Sequence, residues 1–168
     1  MSVFFTSDQH FGDHRRLFID RRPFASVAEM DEAMAARWNA AVRPEDTVWH
    51  LGDLTRLRKP ERIDALLSGL NGRKHLIIGN NDGPATLAWP GWQRVSHYAE
   101  LEVDGRGLVL CHYAFRTWNG SGRGSLNLHG HSHGRLRPMK RQFDVGVDVW
   151  DFTPATLDQI LARAAMRA

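Results

Sequence analysis

Val3-Phe4-Phe5-Thr6-Ser7-Asp8-Gln9-His10 opens the chain with an apolar run that ends in a carboxylate, an amide and an imidazole. Ser2 to Ser7 has the length and composition of a buried strand. The arrangement then recurs. Thr47 to Leu51 runs into Gly52-Asp53, and Lys74 to Ile78 into Gly79-Asn80-Asn81-Asp82. Gly107 to Cys111 runs into His112, and Ser125 to His129 into Gly130-His131-Ser132-His133. Apolar runs that each end in polar, metal-ligating side chains describe strands converging on one edge. In open α/β folds the ligand crevice lies at the carboxyl ends of the strands. The fold class expected from this pattern is α/β.

Helical spacing fills the intervals between the runs. Val27, Met30, Met34 and Trp38 recur on one face, behind Ser26 and Glu29 spaced as a capping box. Pro60 opens a second helix with Ile63, Leu66, Leu67 and Leu70 inward, closed by Asn71-Gly72. Residues 83–93, with two Pro, two Gly and two Trp, read as an irregular loop. Ser96 to Val103, Asp104-Gly105 and Gly107 to Cys111 read as a hairpin. Residues 119–124 are rich in Gly and Ser and read as a mobile loop. Phe143 to Val149 is expected as the last strand, with Thr153 capping a C-terminal helix whose first turn holds Pro154.

At 168 residues, 42% hydrophobic and 24% charged, the chain suits one domain over residues 1–168 and excludes a disordered, collagenous or coiled-coil polymer. Its apolar runs are too short to span a bilayer, and no leader pattern is present, so no membrane partner is expected. The single cysteine, Cys111, excludes an intramolecular disulfide framework and suits a reducing cytoplasm. A formal charge of +3 fits an anionic substrate without arguing for DNA.

Nine histidines are the outlying count. Asp8-x-His10 and His131-x-His133 each put two chelating side chains two residues apart, which on an extended strand end point the same way. Asp53, Asn80 and His112 complete a candidate set of seven with Asp8, His10, His131 and His133. Carboxylate, amide and imidazole donors together suit manganese foremost, with iron, zinc, nickel or magnesium as alternatives. Seven is too many for one ion and enough for two that share a carboxylate.

In this order the motifs resemble those of the calcineurin-like metallophosphoesterases, DxH, GDxx, GNH[DE], a lone H and GHxH, across residues 3–133. Ser7-Asp8-x-His10-Phe11-Gly12 and the tail Val145-Gly146-Val147-Asp148-Val149-Trp150 resemble small bacterial and phage members. The resemblance implies two β-sheets sandwiched between helices, a four-layer αββα arrangement. It also implies phosphoester hydrolysis at a dinuclear centre, with a metal-bridging hydroxide as nucleophile. One metal would be held by Asp8, His10, Asp53 and His133, the other by Asp53, Asn80, His112 and His131.

Asn81 departs from the pattern, since the family has His there to help protonate the leaving group. An amide donates a hydrogen bond but is no general acid. The departure points toward phosphodiesters. Asp82, His14 and Asn81 are the candidate catalytic residues around this gap. Arg116 and Trp118, after His112, are candidates for a substrate wall, by charge on phosphate and by stacking. Basic loops at Arg56, Arg58 and Lys59 and at Arg135 to Arg141 leave a nucleic-acid substrate as an alternative to a small phosphoester or nucleotide. A non-catalytic metal-binding scaffold of the same fold is the other alternative.

Overall fold

The computed structural model describes residues 1–166. Strands β1 (Val3–Thr6), β2 (Thr47–His50), β3 (Arg73–Ile77) and β4 (Arg94–Ser96) pair in parallel, and β9 (Ala155–Thr156) joins β1 antiparallel at the edge. A second sheet runs β5 (Tyr98–Val103), β6 (Arg106–Cys111), β7 (Leu126–His129), β8 (Gln142–Asp144). The chain is thus a mixed α/β fold of two sheets with helices, as expected.

Period-two alternation explains the layering. Phe4 and Val48 face one side of the first sheet, where Met30, Met34 and Trp38 of α2 (Val27–Ala41) and Ile63 and Leu67 of α3 (Pro60–Gly69) cover them. Phe5, Trp49 and Ile77 face the other side and meet Leu108, Leu110, Leu126 and Leu128 of the second sheet. Strands buried on both faces read as continuous apolar runs, which makes them visible in the sequence. On the outer face of the second sheet, the buried Asn127 side chain accepts from the Phe115 N–H at 3.2 Å and donates to the Val109 carbonyl at 3.0 Å, tying down the segment after His112.

Several local expectations are corrected. Ser26 Oγ accepts from the Glu29 amide at 3.1 Å, but the Glu29 carboxylate reaches the Ala25 N–H at 2.8 Å, one residue short of a reciprocal box. Residues 83–93 contain a four-residue helix, α4 (Pro84–Leu87). The run from Ser96 to Val103 is split: Ser96 pairs with Ile77 in the first sheet and Tyr98 with Cys111 in the second. His97 is the residue at which the chain changes sheets, a change that alternation cannot register. The strand from Phe143 stops at Asp144, because the Val147 N–H turns to the Ser7 carbonyl at 3.0 Å and Val147–Val149 coil into a 3₁₀ turn. The last helix, α5 (Leu157–Ala165), begins later than expected. Its cap is Thr156, in a reciprocal box with Gln159, while Ala155 beside Pro154 is drawn into β9 by pairing with Phe5. Residues 119–124 hold a short 3₁₀ turn between Gly120 and Gly124, both left-handed. Among the described residues no helix is long and apolar enough to cross a membrane.

Candidate metal centre

The loops after β1, β2, β3, β6 and β7 meet at one edge. Backbone bonds from the Asp8 N–H to the Gly52 carbonyl and from the His10 N–H to the Asp53 carbonyl, both 3.0 Å, zip the first two together beyond the sheet. The Gly130 N–H bonds the His112 carbonyl at 3.0 Å and closes the last two.

Two groups of side chains result. Asp8, His10 and His133 place ligand atoms within 4.8 Å of one another, and Asp53, His112 and His131 do the same. Asp8 Oδ2 is held by the Ser7 hydroxyl at 2.5 Å and the His131 N–H at 2.9 Å. Its Oδ1 is left facing His10 Nε2 at 3.9 Å and His133 Nε2 at 3.8 Å. His112 Nδ1 bonds the Leu51 carbonyl at 2.7 Å, which turns Nε2 toward Asn80 Oδ1 at 3.0 Å. Asp53 joins the groups: its Oδ2 lies 3.5 Å from His10 Nε2 and 3.7 Å from His112 Nε2.

Extended geometry does not deliver these side chains. Asp8 (φ 62°), His10 (φ 52°), Asp53 (φ 59°), His131 (φ 64°) and His133 (φ 47°) all have left-handed backbone. Asp8 and His10 share one group as expected, though on left-handed rather than extended backbone, while His131 and His133 do not point the same way and enter different groups, the division that the resemblance implies. His129, still on β7, bonds the Gly130 carbonyl through Nδ1 at 2.9 Å and belongs to neither.

The residues fit divalent ions. Asp8 Oδ1 and both ring nitrogens of His10 are buried with no hydrogen-bond partner among the described residues, a cost that a cation in their midst removes. Burial pushes the Asp8 carboxyl up to about 7. Burial, with the Arg16 charge, holds His10 far below the usual imidazole range, so it is the neutral donor that a metal requires. Burial works against His133 too, but its Nδ1 bond to Asp148 at 2.7 Å raises it.

Asp148 is a site residue for which residue typing offered no assignment; only its place in the resembling tail marked it. Burial would raise its carboxyl, yet the bonds from His133 and from Arg22 (both arms at 2.9 Å) bring it to about 2. Arg22, buried, also donates to the Asp8 and Gln9 carbonyls at 2.6 Å each. One guanidinium thus ties the first loop to the carboxylate that orients His133. Asp144 similarly clamps the last loop, accepting from Ser132 Oγ at 2.7 Å and the Gly134 N–H at 2.8 Å. No short-range pattern signals the Arg22 contact, since its partner is 126 residues away.

Asn81 lies at the centre: its N–H and Nδ2 donate to the two Asp53 oxygens at 2.7 and 2.6 Å. Asp82 has no imidazole to orient. Its oxygens accept from the N–H groups of Asp53, Leu54 and Gly79 at 2.8–2.9 Å, fixing the loops beneath Asp53. His14 is exposed ahead of α1 (Arg16–Ile19), outside both ligand groups. Trp118 spends its indole N–H on the Ser125 carbonyl at 3.1 Å, and Arg116 is exposed. Tyr113 instead borders the second group, its ring edge-on to His131 at 4.7 Å between centroids.

No family model matches the chain. It is similar to the gene 66 protein of Mycobacterium phage L5, 32% identical over 89% of this chain and 87% of that one. It is also similar to the gene 66 protein of Mycobacterium phage D29, 35% identical over 91% and 92%. Among solved structures, a protein of unknown function, AQ665, from Aquifex aeolicus shares the fold at TM-score 0.75 and 20% identity, covering 96% of this chain and 98% of that one.

Proposed function

We propose that the chain, a relative of the phage gene 66 proteins, is a calcineurin-like metallophosphoesterase that works as a dinuclear metal-dependent phosphodiesterase. The observation that carries the reading is Asp53, one carboxylate within 3.7 Å of an imidazole from each ligand group. Asp8, His10 and His133 would hold one ion, and Asn80, His112 and His131 the other, with Asp53 between them. Manganese is the ion we favour for this mixed donor set. When bound, the pair supplies Lewis acidity: charge that draws and polarises a phosphoryl group and lowers the pKa of water.

The chain's own groups do the rest. Asp8 and Asp53 are fixed through one or both oxygens by N–H and O–H donors, so ligand geometry costs no reorganisation at the moment of reaction. Asn81 presents an amide where proton transfer to a departing alkoxide would need an acid. A diester whose leaving group departs as a stable anion needs no such help. The lone buried thiol, Cys111, suits the cytoplasm as the compartment.

The test is reconstitution with manganese and a leaving-group series. Wild type is expected to prefer bis-p-nitrophenyl phosphate to p-nitrophenyl phosphate in kcat/KM. Asp53→Ala should abolish turnover and lower the bound metal from near two equivalents. Asn81→His should raise kcat most for poor leaving groups, by up to about 10²–10⁴-fold. A protein that never binds more than one equivalent, or an Asp53→Ala variant with wild-type turnover, sinks the dinuclear reading.

A further inference from the structure

A cleft of about 460 Å³ opens beside Asn81, walled by residues 55–58 after β2 and by Asn81 and residues 83–85 after β3. Its charge is one-sided. Arg56 and Arg58 line it, and among the described residues no Asp or Glu does. Elsewhere the site's arginines are neutralised: Arg15, Arg16, Arg22 and Arg135 each pair with an aspartate. Arg56 and Arg58 have no carboxylate partner among the described residues. Arg56 reaches the site through Nη1, which donates to Asn81 Oδ1 at 3.2 Å. Asn81 in turn donates to both oxygens of Asp53. The cleft therefore shares a wall with the candidate metal centre, one side chain away from the carboxylate that joins its two halves.

Two guanidiniums without a carboxylate partner among the described residues, in a concavity that shares Asn81 with the candidate metal centre, are complementary to tetrahedral anionic oxygens. We infer that this cleft receives a second phosphate of the substrate, held by Arg56 and Arg58, so that the preferred ester carries another phosphate beyond the one cleaved. The inference rests on the phosphodiesterase reading and adds a substrate class to it. That second phosphate is either the next one along a nucleic-acid strand or the neighbouring one in a nucleoside diphosphate. Both present the same oxygens to the cleft.

Calorimetric titration separates these cases without requiring turnover. The probes are thymidine 5′-monophosphate, thymidine 3′,5′-bisphosphate and thymidine 5′-diphosphate. At least one two-phosphate probe should bind about tenfold or more tighter than the monophosphate, the worth of one charge-assisted contact. The bisphosphate winning identifies a strand-like substrate, and the diphosphate winning identifies a polyphosphate. Arg58→Gln, at an exposed residue without an ion-pair partner among the described residues, should erase the advantage. Arg106→Gln, at the far end of β6, should keep it. Equal affinities for all three probes, or an advantage that survives Arg58→Gln, overturn the inference. Bis-p-nitrophenyl phosphate carries no second phosphate. Its turnover by a protein with equal affinities would leave the diesterase reading standing alone, and tight two-phosphate binding without its turnover would do the reverse.

Discussion

Left-handed backbone at five of the seven candidate ligands means that each side chain is aimed by a backbone that folding must stabilise, at about 1–3 kcal/mol apiece. Asp and His tolerate this region better than branched residues do, so ligand chemistry and local conformation select the same residue types. The positions are held by neighbours, and Asp148 is the neighbour with the clearest consequence. It fixes His133 Nδ1 as the donor and leaves Nε2 for the ion. Asp148→Asn keeps the shape and removes the charge that faces Arg22. Metal titration of this variant should show one site weakened by about 10–100-fold, with the other retained. Two unchanged sites would mean that His133 is oriented by packing alone.

The elements contribute through their ends. Gly130 leaves β7 so close to the first loop that a Cβ there would stand 2.2 Å from Ser7 Oγ and 2.5 Å from Asp8 Oδ2. Gly130→Ala must push apart the two elements that place Asp8 and His131. We expect a loss of about 1–3 kcal/mol in urea unfolding, together with weaker metal binding. Gly69, the last residue of α3, has open space within 4 Å of the point where a methyl group would stand. Gly69→Ala should therefore add about 0.4–1 kcal/mol by restricting the unfolded chain. If both variants lost stability alike, the cost at Gly130 would be general to glycine and would say nothing about the loop junction.

At the scale of the molecule, the candidate centre joins the two sheets. Asp8, His10, Asp53 and Asn80 follow strands of the first, and His112, His131 and His133 follow strands of the second. An ion held by both ties the sheets beyond the apolar layer between them. Ions that bind only the folded chain add about 2.7 kcal/mol per site at a hundredfold excess over Kd. Manganese should raise Tm in a concentration-dependent way, a chelator should lower it, and Asp53→Ala should blunt the response. A Tm indifferent to manganese in wild type would show that the sheets close without it.

The sequence alone carried the strands, the helix faces and the ligand candidates, because burial on both strand faces and helical spacing leave marks within a few residues. The seven candidates were legible as well, since each lies within four residues of the end of an apolar run. Three things were legible only in the tertiary structure. The chain changes sheets at His97, where hydrogen-bond partners change but the alternation of side chains does not. The left-handed backbone at five of the candidate ligands is held by contacts between distant loops, as where the His131 N–H donates to Asp8, 123 residues away. The pairing of Arg22, Asp148 and His133, and the unneutralised Arg56 and Arg58, arise from loops meeting in space. Patterns within a strand or helix are set by neighbours in the chain, whereas the chemistry of this edge is set by which loop ends packing brings together.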